Sequence, residues 1–280
     1  MNHAQAFKSI LHISYSQIWT YLECSLKYRF QYVEKQPPEK LSIALYFGLA
    51  MHTCVERYYN RLVQNQEPEK LDVLKELFRE KITADVVGQK MPVIYKKETP
   101  DLDSAIELGG SLLETFYNSI DMSGMEIIAV ELPLSAMITP DIALVGRIDL
   151  LLRDIETQKL IITDTKTAAK PKAQADVDSD LQLSGYSYLL VENNYASKSD
   201  EIACRLDVLR KLKTPKLEHC YTSRNLWHRR RFNNIALAVL AGIESRVFIP
   251  ARSWLCSDCQ YAIACSRWEE EENVASPNNS

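Results

Sequence analysis

Asp149 closes the tetrapeptide GRID, and Asp164 and Lys166 follow in ITDTKT. Two aspartates are hard oxygen donors suited to Mg2+ or Mn2+, and the carbonyl of Thr165, between Asp164 and Lys166, can complete a coordination shell. A lysine beside such a site can orient or help deprotonate an attacking water and offset negative charge developing on a phosphate. The set therefore points to metal-assisted hydrolysis of a phosphodiester. An Asp-x-Lys triplet alone also reads as a surface ion pair, so neighbours must decide. Three are at hand: His52 in Gly48-x-x-x-His52, Glu131 in VELPL, and Gln182-x-x-x-Tyr186, two polar side chains one helical turn apart. Glu131 can ligate a metal or simply pair with a basic side chain.

These residues need a scaffold that gathers them. Apolar runs over 127–134, 142–152 and 160–162 predict three strands, and the short polar link Arg153–Lys159 predicts a hairpin between the second and third. That hairpin sets Asp149 beside Asp164, and Asp164 and Lys166, two apart, share a face. Periodicity predicts helices after Ser14 or Ser16, over Ala44–Leu62, Leu71–Val87, Ser104–Ile120, Ser179–Glu192 and 223–246, with Gln89–Asp103 as loop. Cys204–Leu212 and Leu217–Tyr221 predict a further strand pair. The expected fold class is α/β, a mixed central β-sheet flanked by helices. One compact unit is expected: a helical N-terminal region (1–123) with Cys24 and His52, a core (124–222) with the acids, a C-terminal helix with cysteines (223–268) and a disordered tail (269–280).

Cys256-x-x-Cys259 followed by Cys265 is a three-thiolate clip, one short of the four that zinc or an iron–sulfur cluster takes. Cys54, Cys204 and Cys220 have no partner spacing and read as buried side chains. A net charge of −4 gives no global attraction to nucleic acid. Between Arg205 and Arg231, however, nine Lys/Arg face only Asp207 and Glu218, a local +7 that includes Arg229, Arg230 and Arg231. This cluster fits phosphate contact or a solvated face. Tyr28, Phe30 and Tyr32 alternate with basic residues, and Trp227-His228 precede the arginine run, so rings are available to stack on a single strand unless packing consumes them.

No apolar stretch approaches the roughly 20 residues of a membrane span, and MNHAQAFKSI lacks the pattern of a secretory signal. A cytoplasmic protein without membrane contact is expected. The sequence has no G-x-x-x-x-G-K-[ST], so any unwinding would fall to a helicase or another DNA-processing partner.

In order, SQIWTYLECSLKYRF, FGLAMH, VELPL, GRIDLL, ITDTKT and QLSGY resemble the RecB-like branch of the PD-(D/E)XK nucleases, including the CRISPR-associated RecB-like exonucleases, over about Ser14 to Cys265. The resemblance implies a restriction-endonuclease-like core, with His52, Asp149 and Asp164 as ligands of the catalytic metals and Lys166 as the catalytic lysine. It implies that Gln182 and Tyr186 support the site and contact DNA. The family often has Glu where Asp164 stands, and the shorter arm would move the metal slightly. The family's iron-sulfur subgroup further implies that Cys24 joins Cys256, Cys259 and Cys265 around one [4Fe-4S] cluster fastening the two chain ends together. The expected function is a metal-dependent exonuclease on single-stranded DNA or DNA ends. The alternatives are a noncatalytic DNA-binding scaffold of the same fold and a zinc-stapled interaction module.

Overall fold

The computed structural model describes residues 11–275. A short strand β1 (Leu11–Ser14) turns into helix α1 (Tyr15–Glu23), where Ser14 Oγ accepts from the Gln17 N–H and Gln17 Oε1 accepts from the Ser14 N–H, a capping box. A single turn α2 (Ser25–Tyr28) follows and continues as a π-helical turn through Val33. Next come β2 (Leu41–Ser42), α3 (Ile43–Val63), α4 (Leu71–Val87), β3 (Val93–Ile94) and α5 (Leu102–Ser119). The second half carries β4 (Met125–Met137), β5 (Ile142–Asp154), β6 (Leu160–Ala168), a short α6 (Gln174–Asp178) and α7 (Leu181–Glu192). The chain closes with β7 (Ile202–Arg210), β8 (Lys216–Arg224), α8 (Leu226–Glu244) and α9 (Ala262–Ala275).

Six strands form one mixed sheet. β4, β5 and β6 are antiparallel neighbours, β7 runs parallel to β6, β8 returns antiparallel, and β1 lies parallel to the start of β5. Alternation sends side chains to two separate cores. On one face Leu144, Ile148, Ile162 and Leu206 pack with Leu183, Leu189, Phe232 and Val239 of α7 and α8. On the other, Leu150, Leu152 and Leu209 pack with Phe47, Met51, Phe78 and Phe116 of α3, α4 and α5. The result is the expected α/β fold, helices on both faces of a mixed sheet.

The three-strand meander and the principal helices fall where periodicity predicts them, with ends shifted by a few residues. The segments β1, β2 and β3 are additions to that pattern; two to four residues carry too little period to read. The expected tail from 269 is also corrected: α9 runs through Ala275, its first backbone N–H groups, of Ile263 and Ala264, donating to the Glu39 carboxylate, and Arg252 pairs with Glu269. Residues 276–280 of that tail, and the N-terminal stretch 1–10, lie outside the described residues. Among the described residues no helix is long and apolar enough to cross a membrane.

Candidate active site

The site occupies a fork in the sheet. Along one edge, β5 pairs first with β1, through Val145, and then with β6, from Leu150 onward. The intervening stretch, Gly146 to Asp149, has no ladder partner on that edge, and β6 beyond Thr163 pairs only with β7. The Thr165 N–H, freed from the ladder, donates to Asp149 Oδ2 at 3.1 Å. The same oxygen lies 3.2 Å from His52 Nδ1, which α3 lowers onto the fork.

Glu131 completes the group from β4. It stands between the ladder pairs Val130–Leu150 and Leu132–Ile148, and therefore opposite Asp149. Its backbone has φ 51, a left-handed conformation unusual for a non-glycine residue in a strand and of the kind that collects at functional sites. One ligand atom each from His52, Glu131 and Asp149 lies within 4.8 Å of the others. Glu131 also meets Arg147, with Nε 3.0 Å from Oε2.

Asp164 is almost fully buried and faces Lys166, whose ammonium lies 2.8 Å from Oδ2 and 3.1 Å from Oδ1. The ammonium also donates to Gln182 Oε1 at 3.0 Å, and Gln182 Nε2 donates to the Tyr186 hydroxyl at 2.7 Å. The i,i+4 pair Gln182–Tyr186 thus braces Lys166 from α7. That helix can approach β5 because Gly146 has no side chain: a Cβ there would stand 2.6 Å from Leu189 Cδ1.

Electrostatics follow from crowding acids in a half-closed fork. Burial and the neighbouring Asp164 charge push Asp149 up to about 7, and burial with Asp149 raises Glu131. Burial lowers His52 against opposing pulls from Asp164 and Glu131, favouring the neutral imidazole that ligates metals. Lys166 stays above its ordinary range: burial opposes its charge, but Asp164 outweighs burial. Two carboxylates are hard donors that fit Mg2+ or Mn2+, and the neutral imidazole, a borderline donor, is better matched to Mn2+ than to Mg2+. The penalty on charging Asp149 is the kind that a bound cation removes.

Support for this arrangement comes from residues whose charge pointed to a surface role. Arg229, expected to contact DNA, is buried, and donates to Ser187 Oγ, the Arg224 carbonyl and the carbonyls of Lys198 and Asp200. Fully buried Arg224 donates to Ser184 Oγ and to the carbonyls of Val177, Asp180 and Ser223, tying down the first turn of α7 on which Gln182 sits. Arg205 and Arg210 are buried against Asp207 and Glu218. Four of the nine charges are therefore internal struts, because guanidinium forks satisfy inward-facing oxygens. Arg230 and Arg231 remain exposed, Arg231 stacking 6.0 Å over the Trp227 ring. Among the aromatics, Tyr28 and Phe30 are consumed by packing, whereas Trp227 is 63% exposed.

At the opposite end of α1, Cys24, Cys256, Cys259 and Cys265 line one cavity of about 570 Å³. The chain ends are joined around it: the Leu26 N–H donates to the Ile249 carbonyl, the Glu39 N–H to the Gln260 carbonyl, and Leu26, Phe30 and Tyr261 form a small core. Cys54 and Cys204 are buried as expected, while Cys220 is half-buried.

A model of the PD-(D/E)XK nuclease superfamily matches residues 12–266. No curated protein matches the sequence. Among solved structures, a presumed exonuclease from Eubacterium rectale superposes with TM-score 0.53 at 11% identity, covering 93% of this chain and 90% of that one. The structure of SSO0001 aligns with TM-score 0.36 at 13% identity over 85% of this chain and 92% of that one. At such identities the first likeness speaks for the fold alone, and the second is too remote to bear on it. The match over 12–266, spanning the fork, α7 and the cysteine cavity, shows that this chain belongs to the PD-(D/E)XK nuclease superfamily.

Proposed function

We propose that the protein is a metal-dependent deoxyribonuclease that degrades DNA from ends or as single strands. The observation that carries this reading is the convergence of His52, Glu131 and Asp149 within one fork, with Lys166 held beside them between Asp164 and Gln182. A bound Mg2+ or Mn2+ would supply Lewis acidity and lower the pKa of a coordinated water. His52, Glu131 and Asp149 would hold it, with Asp164 and the Thr165 carbonyl at its margin. Lys166, kept protonated by Asp164, sits where it can neutralise charge developing on the phosphate. Gln182 and Tyr186 hold that ammonium in place, and Arg230 and Arg231 offer exposed phosphate contacts. A noncatalytic scaffold has no need to hold three half-buried ionisable groups together at this cost in desolvation.

The same reading assigns one [4Fe-4S] cluster to Cys24, Cys256, Cys259 and Cys265. The four cysteines line one cavity, and four is the donor number that an iron–sulfur cluster or a zinc ion takes. The cluster would act as a staple, well removed in the chain from the acids. With no P-loop in the sequence, a helicase partner would provide any unwinding.

The test is digestion of end-labelled linear single strands, linear duplexes and closed single-stranded circles with Mg2+ or Mn2+. Linear strands should shorten while circles persist. Equal attack on circles would replace exonuclease with endonuclease action, and intact DNA in every lane would remove the reading.

A further inference from the structure

Tyr15, Trp19 and Glu23 recur every four residues and share one face of α1. The two rings lie nearly parallel, with centroids 6.3 Å and planes 25° apart. The Trp19 indole N–H donates to Glu23 Oε1 at 2.9 Å, which fixes the ring's orientation, yet the residue is 45% exposed. Tyr15 anchors the pair, packing against the core beneath α7. Tyr15 directly follows Ser14, whose ladder partner Val145 is the last before the fork opens at Gly146, so the pair begins at the rim of the fork. Further along, Glu23 shares a cavity wall with Leu45, and exposed Leu45 and Leu49 lead along α3 toward His52.

The chemistry of this face selects its occupant. It carries π faces and apolar side chains, and the cation that follows on it, Lys27, is already paired with Glu23 at 3.4 Å. What fits is the uncharged part of a nucleotide. A base can lie on an indole only when it is unpaired, and base–aromatic stacking tolerates any sequence because every base has a π face. We infer that Tyr15 and Trp19 form a stacking ledge for an unpaired nucleobase next to the phosphate held in the fork. This rests on the nuclease reading and adds the form of the substrate: a strand whose base is already unstacked from its complement.

The experiment uses the full chain and single-stranded oligonucleotides in which one nucleotide at a time is replaced by an abasic analogue. Cleavage with Mg2+ or Mn2+ and binding by anisotropy without divalent metal are followed for wild type, Trp19→Ala and Trp19→Phe. For wild type, an abasic analogue at one position should weaken binding and raise KM about 5- to 100-fold. Trp19→Ala should show that loss on intact DNA and little further loss on the abasic strand, and Trp19→Phe should recover most of the binding. Trp19 is exposed, so its truncation leaves both cores intact. If Trp19→Ala matches wild type on intact strands, or both proteins lose equally at the abasic position, there is no ledge, although cleavage by wild type would still uphold the nuclease. If wild type neither cleaves nor binds single strands, the ledge falls, and the nuclease reading falls with it when linear duplexes also stay intact.

Discussion

Glu131 faces Asp149 across the β4–β5 ladder from a backbone bent into the left-handed region, at φ 51. A non-glycine residue held there costs on the order of 1–3 kcal/mol. The strain delivers a third ligand atom to His52 and Asp149. Glu131→Gly should therefore raise the melting temperature of metal-free protein, since glycine adopts this conformation freely, while cleavage falls by at least about 10-fold through loss of a metal ligand. Thermal melts and degradation rates on the same preparation check both halves. A glycine variant that is less stable and fully active would make Glu131 a mere partner of Arg147.

Asp149 titrates near 7 in the folded chain because it is buried beside Asp164. The unfolded chain gives up that proton around pH 4, so stability of the metal-free protein should decline as pH rises from about 4 to 7. Asp149→Asn should flatten that decline. Mn2+ should stabilise wild type more at pH 8 than at pH 5, because the carboxylate must be ionised to bind. Melting temperatures across this range, with chelator and with Mn2+, give the comparison.

The arginine run should separate by burial. Arg229→Glu should destabilise the fold by roughly 3–5 kcal/mol, since it sets a carboxylate against the carbonyls of Lys198 and Asp200. Arg230→Glu with Arg231→Glu should leave the melt unchanged and weaken DNA binding. The slope of log affinity against log salt should drop by about 1 for each phosphate that is no longer neutralised. An unchanged slope would mark the exposed pair as solvated surface.

Anaerobically prepared protein should be brown and contain iron. Alanine at Cys24, Cys256, Cys259 or Cys265 should bleach it and lower its melting temperature, because ligands from both chain ends come together only in the folded state. Colourless protein with stoichiometric zinc would substitute a zinc staple, and a brown, stable Cys24→Ala would take Cys24 out of the site.

The fork was legible in part from sequence. The meander, the i,i+2 placement of Asp164 and Lys166, and the Gln182–Tyr186 pair all follow from periodicity, because periods of 2 and 3.6 fix which side chains share a face. The strain at Glu131 was not legible, since only pairing on both sides of it reveals the twisted backbone. Nor was the inward turn of Arg224 and Arg229. Charge counting treats every guanidinium as solvated, whereas these two find enough neutral oxygens at the α7 and α8 termini to be buried. Trp19 went unread because its periodicity matched that of a packed helix face.

The most direct test of the fork as the active site is the Mn2+ concentration that gives half-maximal DNA degradation, measured for wild type, Glu131→Gln and Asp149→Asn, with Lys166→Ala as the variant that keeps all three ligands. The two ligand variants should need at least about 10-fold more Mn2+ or fail altogether. Lys166→Ala should bind Mn2+ like wild type, by titration calorimetry, and degrade nothing. Wild-type rates and Mn2+ dependence in Asp149→Asn, or undiminished degradation by Lys166→Ala, would contradict that assignment.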